Sequence, residues 1–409
     1  MHNEGAAAAL QALDDVHLHI AIGNIVSSTR DDSNSPPTVR FTAYDLTGAE
    51  KIDEPIPEHR TRSDSNELEL GKTKKINKFG FIVKADPNGD SSKGSDKTSS
   101  KELFSREILI ITDHKRLQKW FRMVNKPYGI KYFMAYKLTS NLKQEIRMGI
   151  PDALRAQTWY HLCQANVAKE KMPNLSVLDD MAVGPRVKEE IGRDIDRTFP
   201  RHVQFTVKDG DGQKSLRRLL MRYAAVDATA GYCQGMGFVA GMFLMYMDED
   251  SAFYSFYSTL QFPPTPLRPL YFEDMLEVQR KLYILNELGH LLASQLWAHL
   301  EEESVHPSMY ATDWLMTLFT RGFPFELVTR VWDVFLNESY KVIYRVCLAL
   351  LLEKEALILN SGFEQIMAII KSLTEEVDTE KILKIAFSLK MTTKQIQGFS
   401  ADFDRSREG

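Results

Sequence analysis

Apolar residues recur at spacings of three and four from about residue 101 onwards, as they do on one face of an amphipathic helix. Proline, glycine or asparagine separates the segments that carry this pattern, and few strand signals follow residue 210. The pattern predicts an all-α domain of about 250 residues. The segments are SREILIITDHKRLQKWFRMV, PDALRAQTWYHLC, DMLEVQRKLYILNELGHLLASQLWAHLEEE, ATDWLMTLFTRG, PFELVTRVWDVFL and KVIYRVCLALLLEKEALIL.

The first hundred residues differ in composition, because TRDDSNSPPT and PNGDSSKGSDKTSSK are rich in Ser, Asp, Gly and Pro. Three short alternating segments lie among them and are β-like: VHLHIAI, TVRFTAY and KFGFIVK. A helix over AAAALQALDDVHLHI is the competing interpretation of the first. We predict a partly disordered, low-complexity region over 1–100, a helical domain over 101–375, and a C-terminal helical extension and tail over 376–409. The stretch QGFSADFDRSREG is interpreted as a loose end.

One segment has the length of a membrane span, because no charged residue lies between Asp227 and Asp248. Its first part, ATAGYCQG, is small and polar, and the apolar run extends only from Met236 to Met247. A run of that length is more typical of a buried helix. We predict a core helix.

Composition and the absence of several motifs argue against some classes of function. The net charge of −4 argues against nucleic acid as a partner. The 3 cysteines are scattered, which fits neither a disulfide framework nor a zinc site and favours a reducing, cytoplasmic environment. GxxxxGK[ST], GxSxG and HExxH are absent, and the calcium-loop start at Asp86 has Ser91 and Lys97 at positions that need Gly and Glu. We therefore expect no metal and no cofactor.

The first of three local patterns is RMGIPDALRAQTW, in which proline stands at the predicted first helical position. Taken alone, it indicates the start of a helix with a buried tryptophan. The residues that we single out are Arg147, Gly149, Pro151, Arg155 and Trp159.

The second pattern is IGRDIDRTFP. On a helix, apolar residues every four positions form one stripe made of Val187, Ile191, Ile195 and Phe199. Asp194 and Arg197 are three residues apart and are therefore neighbours on another side of that helix. Taken alone, they are an exposed ion pair that contributes about 0.3–0.5 kcal/mol.

The third pattern is GYCQGM, in which Gln234 lies between glycines at the entrance of the apolar segment. Taken alone, it indicates a buried amide that backbone groups satisfy. The flanking glycines would also allow another part of the backbone to approach closely.

Together and in this order, the three patterns resemble TBC domains, the GTPase-activating domains for Rab-type small GTPases. The family patterns IxxDxxR and YxQ are both matched, by Ile191, Asp194 and Arg197, and by Tyr232 and Gln234. The resemblance continues through WLMTLFTRGFPFELVTRVWDVFL and covers about residues 140–360. KFGFI resembles a short segment that often precedes the domain. The resemblance implies a multi-helix domain with two helical subdomains.

The resemblance also implies a mechanism. A small GTPase hydrolyses GTP slowly because charge builds on the transferred phosphoryl group and the attacking water is poorly held. Arg197 would be an arginine finger that stabilises this charge, and Gln234 a second finger that orients the water. GTP and Mg²⁺ would arrive on a GTP-bound Rab, so that the chain is an activator with no reaction of its own. Contact with endomembranes would then be peripheral, through the Rab.

Four further residues would support the two fingers. By the same resemblance, Asp194 would hold Arg197 in the free protein, and Ile191 would anchor the helix in the core. Tyr232 would position the glutamine loop, and Gly235 would let the backbone come close to the GTPase. Two alternatives stay open: a TBC fold that binds a Rab as a non-catalytic effector or scaffold, and a helical structural protein. The sequence names neither the Rab nor the organelle.

Overall fold

The structure is a computed structural model that describes residues 77–82, 115–120, 140–262, 266–375 and 377–408. Within these ranges helices dominate and no strand occurs; the only β-type pairing there is an antiparallel bridge between Phe81 and His202. The all-α prediction is confirmed. The β-like segments VHLHIAI and TVRFTAY lie outside the described residues, as does most of the predicted first helix.

A first group of helices precedes residue 262 and packs mainly within itself. Two of these helices begin with a side-chain cap, because Asn174 accepts a hydrogen bond from the amide of Ser176, and Asp248 from the amide of Ser251. The helices are α2 (Asp152–Leu162), α3 (Ala165–Lys171), α4 (Leu175–Asp179), α5 (Pro185–Ile195), α6 (Asp211–Val226), α7 (Met236–Leu244) and α8 (Glu249–Gln261).

Helix α7 lies in the uncharged stretch between Asp227 and Asp248, which has the length of a membrane span. It is buried almost all round, and α6 and α8 pack against it. The prediction of a core helix is therefore confirmed. In the part of the chain that the structure describes, no helix is both long and apolar enough to cross a bilayer.

A second group consists of the remaining helices. Short 3₁₀ turns, Arg268–Tyr271 and Pro307–Met309, connect some of them. The helices are α1 (Ser140–Met148), α9 (Leu276–Leu292), α10 (Ser294–Glu302), α11 (Ala311–Thr317), α12 (Phe325–Glu338), α13 (Tyr340–Glu353), α14 (Glu355–Ile358), α15 (Phe363–Ser372), α16 (Thr379–Ser388) and α17 (Thr393–Glu408). The division into two groups follows the contacts between helices, and the two helical subdomains implied by the family resemblance stay a prediction.

Two local predictions differ from the structure. The segment predicted as one long helix is interrupted at Ala293, whose backbone angles (φ −145°, ψ 47°) are not helical and separate α9 from α10. Residues 397–408 of the stretch interpreted as a loose end belong to α17, which packs along α9. Arg280 there pairs with Asp404 at 2.6 Å, and the Tyr283 and Phe403 rings lie 5.6 Å apart. Apolar contact with α9 explains why this polar sequence is helical.

Helix α12 joins the two groups, because it contacts both α1 and α2. The carboxylate of Asp333 on α12 is fully buried and accepts four hydrogen bonds: from the Ile150 amide at 2.9 Å, from Arg155 Nε at 3.0 Å and Nη2 at 3.3 Å, and from Trp159 Nε1 at 2.8 Å. Pro151 precedes α2 as its N-cap residue rather than occupying the first helical position, since helical geometry begins at Asp152. Residues of the first sequence pattern thus attach α2 to α12.

Candidate functional site

The turn that carries Arg197 directly follows α5. Sequence periodicity predicted a helix that continues to Phe199, but α5 ends at Ile195 and Phe199 has a left-handed φ of +47°. Ile191 and Ile195 still form the buried face, at 0% and 1% exposure. The backbone amide of Arg197 donates to the carbonyl of Asp194 at 3.2 Å, which closes the turn. Arg197 therefore projects from the C-terminal end of a helix, where a cation is favoured by the helix dipole.

The carboxylate of Asp194 connects two of the sequence patterns. It is 4% exposed, whereas the Arg197 side chain is 53% exposed. One carboxylate oxygen, Oδ1, accepts from Arg197 Nε, and the other, Oδ2, accepts from the Tyr232 hydroxyl. The interpretation as an exposed surface pair is therefore wrong for Asp194, because this carboxylate is desolvated and shared between two donors.

Tyr232 is buried, and it places the loop before α7 against the turn after α5. Burial first, and then the adjacent Asp194 carboxylate, raise the pKa of Tyr232, so that its hydroxyl stays a hydrogen-bond donor. The start of α7 also lies close to the turn after α5, since a Cβ on Gly237 would come within 2.9 Å of Thr198 Oγ1. Thr198 in turn donates to the carbonyl of Asp194 at 2.8 Å. The two segments are packed without space for a larger residue.

Gln234 is exposed, and in the described ranges its side-chain amide makes no hydrogen bond. The interpretation as a buried, satisfied amide is therefore wrong. Gly235 follows it as the N-cap residue of α7 with φ +106°, a conformation that favours glycine. A Cβ there would meet Thr317 Cγ2 only at 3.5 Å, an ordinary contact. Its backbone angle, rather than close packing inside the chain, is thus what requires glycine at this position.

The base of the glutamine loop is held by Asp227, which sequence reasoning did not select. Its carboxylate accepts from Arg268 Nε at 2.5 Å, from Gln261 at 2.9 Å and from the Ala230 amide at 3.2 Å. Burial would raise the pKa of Asp227, but the hydrogen bonds, led by that from Arg268, lower it to about 2. Tyr223 also donates to it at 3.0 Å. The loop to Gln234 thus starts from a fixed, ionised anchor.

Arg197 and Gln234 line one open cleft of about 270 Å³. Phe238 of α7 also lines the cleft, as do Arg321 and Asp313, which pair with each other at 2.9 Å. Arg321 belongs to the segment WLMTLFTRGFPFELVTRVWDVFL, over which the family resemblance extends, but the sequence did not single out Arg321 or Asp313 as site residues. The other lining residues are Cys233, Gly235, Met275, Met316 and Thr317.

The residues singled out in the first sequence pattern, RMGIPDALRAQTW, lie outside the cleft and have a structural role. Arg155 Nε lies 3.0 Å from Asp333 Oδ1 in a buried ion pair. Burial lowers the pKa of Arg155 but the Asp333 carboxylate raises it overall, whereas burial raises the pKa of Asp333 against the opposing effect of Arg155. Arg147 makes two bonds of 2.5 Å to Glu338 on α12. Gly149 has φ +101°, and a Cβ there would come within 2.7 Å of the Arg330 side chain. These residues, with Pro151 and Trp159, hold α1 and α2 on α12 and do not line the cleft.

Among the described residues, no group of three His, Cys, Asp or Glu side chains is arranged to bind a metal ion. The chemistry available in the cleft is that of one cation and one neutral amide, which can contact an oxyanion and a water molecule.

The arrangement of the helices matches that of known structures. It is the fold of solved TBC domains: the Chlamydomonas flagellar RabGAP TBC domain superposes with a TM-score of 0.59 at 24% identity, over 76% of this chain and 99% of that one. The Ypt/Rab-GAP domain of Gyp1p superposes with a TM-score of 0.54 at 18% identity, over 71% of this chain and 99% of that one. The Rab-GTPase-TBC domain family model matches residues 152–359. The chain belongs to the Rab-GTPase-TBC domain family.

Longer relatives share this domain. TBC1 domain family member 4 of Mus musculus is 34% identical over 73% of this chain and 22% of its own length. The ecotropic viral integration site 5 protein homolog of Homo sapiens is 31% identical over 69% of this chain and 34% of its own length. The chain thus spans between about a fifth and a third of these two relatives.

Proposed function

We propose that this chain accelerates GTP hydrolysis by a Rab-family GTPase in its GTP-bound form, by inserting Arg197 and Gln234 into the GTPase's active site. The observation that carries the proposal is that both side chains, separated by 37 positions in sequence, line the same open cleft. Membership of the family and the names of the relatives support the same class of partner. GTP and Mg²⁺ come with the Rab, and this chain supplies residues in trans.

Arg197 acts on the charge that develops during phosphoryl transfer. Asp194 engages the Nε edge of the guanidinium, through Nε and Nη2, and orients the group before the GTPase binds. Because the side chain is 53% exposed, the donors that Asp194 does not engage can reach phosphoryl oxygens. Preorganisation of this kind lowers the barrier because the donor need not be ordered in the transition state.

Gln234 acts on the attacking water. A neutral amide can accept a hydrogen bond from water through its oxygen and donate through its nitrogen to a phosphoryl oxygen. The exposed position of Gln234 supports this role. Its side-chain amide forms no hydrogen bond with the described part of the chain and is therefore free to bind water and a phosphoryl oxygen. The left-handed Gly235 after it sets the direction in which the side chain leaves the loop.

The test is single-turnover GTP hydrolysis by a panel of purified Rabs with and without the full chain. We expect acceleration of at least one Rab, and losses of about 10²-fold or more for Arg197→Ala, Arg197→Lys and Gln234→Ala. Arg193→Ala is the matched control, because Arg193 lies one turn before Arg197, pairs with Glu189 at 3.7 Å and does not line the cleft. It should retain the wild-type rate.

A non-catalytic Rab-binding module predicts a different result. Such a protein would bind a GTP-loaded Rab without changing its hydrolysis rate, and Arg197→Ala would then change nothing but affinity. Acceleration that is undiminished in Arg197→Ala would refute the role of the arginine. Recruitment to endomembranes, in this proposal, follows the Rab, from a cytoplasmic pool.

A further inference from the structure

Residues 77–82, here called the clip, pack against the chain that follows Arg197. The Ile82 amide donates to the carbonyl of Arg201 at 2.8 Å, and the Val203 amide donates to the carbonyl of Gly80 at 2.9 Å. His202 Nε2 donates to the carbonyl of Phe79 at 2.9 Å. Three hydrogen bonds thus tie the clip to residues 201–203, although residues 83–114 separate it in sequence from the next described helix.

Side chains make the same connection. The Phe81 ring lies 4.9 Å from His202, 5.0 Å from Phe325 and 6.2 Å from Phe199, measured between ring centroids. Phe79 also packs against Phe325, at 5.2 Å. Phe81 therefore covers the outer side of the turn and fixes it against α12.

Phe199 connects the clip to the turn that carries Arg197, because it contacts Phe81 on one side and Phe238 on the other. It has a φ of +47°, which is costly for a bulky side chain and persists only where the surroundings impose it. Its ring packs edge-on against Phe238 at 5.1 Å, and Phe238 lines the finger cleft. Phe199 is also only two positions after Arg197. The turn that aims Arg197 is therefore strained, and Phe81 is one of the groups that hold it.

We infer that Phe81 is a positioning residue for Arg197: by confining Phe199 from outside, the clip keeps the arginine turn in its catalytic conformation. The inference rests on the proposed activator function. It makes the segment before the domain part of the catalytic apparatus, although no clip residue touches the cleft. Small displacements of a catalytic group have large effects on rate, since about 1 Å can cost about 10²-fold.

The experiment uses the full chain and the Rab that the wild-type chain accelerates most. Phe81→Ala should lower the maximal rate of stimulated hydrolysis by about 10-fold or more with KM unchanged. Binding to that Rab loaded with a non-hydrolysable GTP analogue should stay at the wild-type level. Binding to the same Rab loaded with GDP and aluminium fluoride, which mimics the transferring phosphoryl group, should weaken with the rate.

Two further variants sharpen the test. Phe79→Ala removes a ring of the same size from the clip, but that ring packs against Phe325 and not against Phe199, so it should retain most of the rate. Phe81→Leu restores apolar bulk and should recover most of it. If Phe81→Ala does not fold, Gly80→Ala replaces it, because a Cβ there would press on His202 Nε2 at 2.7 Å and should reduce the rate in the same way.

The outcomes separate the two proposals. A wild-type chain that accelerates no Rab refutes the activator function itself. An active wild-type chain with Phe81→Ala folded and at full rate overturns the inference. Equal weakening of binding to both nucleotide states, together with a lowered melting temperature, also overturns it, because the clip would then only stabilise the fold.

Discussion

The hydroxyl of Tyr232 offers the most direct test of the site's internal geometry. Tyr232→Phe deletes one oxygen and leaves the buried ring in place, so that Asp194 loses its donor at Oδ2 and keeps Arg197 at Oδ1. The carboxylate is 4% exposed, and its lost donor is poorly replaced by solvent. Hydrogen bonds to charged groups contribute about 1.5–3 kcal/mol, which corresponds to a fall in melting temperature of about 3–6 °C for a domain of this size.

Stimulated hydrolysis should also fall, by about 10-fold, because a carboxylate held by one partner no longer fixes the direction of Arg197. The assays are thermal unfolding by circular dichroism and single-turnover kinetics on the same preparations. Tyr257→Phe is the matched control, since the Tyr257 hydroxyl has no hydrogen bond within the described part of the chain and its loss should change neither quantity. Wild-type stability and rate in Tyr232→Phe would refute the claim that Asp194 depends on both donors.

Two further predictions concern residues that support the site from a distance. The lowered pKa of Asp227, about 2 against about 3.9 in an unfolded chain, stabilises the fold fully above about pH 4 and is lost as the pH falls toward 2. Asp227→Asn should therefore be less stable at pH 7 and show a flatter acid limb in pH-dependent unfolding; an unchanged acid limb would contradict the assignment. Arg155→Met should cost about 3–5 kcal/mol in denaturant unfolding, because it leaves the Asp333 carboxylate buried without its cation, whereas the Arg155→Met/Asp333→Leu pair should recover much of that loss. A loss below about 1 kcal/mol in the single variant would mean that the buried pair is not ionised.

The sequence predicted most of what depends on local periodicity. The all-α class, the buried α7 and the buried face of Ile191 and Ile195 all follow from spacing. Spacing could not show that Phe199 leaves the helix, because its apolar character fits the stripe whether or not the backbone is helical. The burial of Phe199 is real, but a left-handed turn produces it.

Long-range contacts of polar groups were not predictable. Asp194 and Tyr232 are 38 positions apart, and the Asp333 bond to Trp159 spans 174. A carboxylate in the middle of the apolar segment VTRVWDVFL was a usable signal, since a buried charge requires a partner. Nothing local, however, identified Arg155 as that partner. The exposure of Gln234 was also misjudged when its motif was taken alone, because neighbouring glycines do not reveal which way a loop side chain points.

The shared carboxylate of Asp194 has a thermodynamic consequence. Its two oxygens bind donors from the two finger segments, so that the segments are linked by one charge. A GTPase that binds the exposed side of the guanidinium while Asp194 holds its Nε edge also fixes the carboxylate that accepts from Tyr232, and with it the loop that carries Gln234. By reciprocity, a change that loosens that loop leaves Arg197 with a less firmly held partner. Arginine engagement and glutamine-loop ordering are therefore thermodynamically coupled.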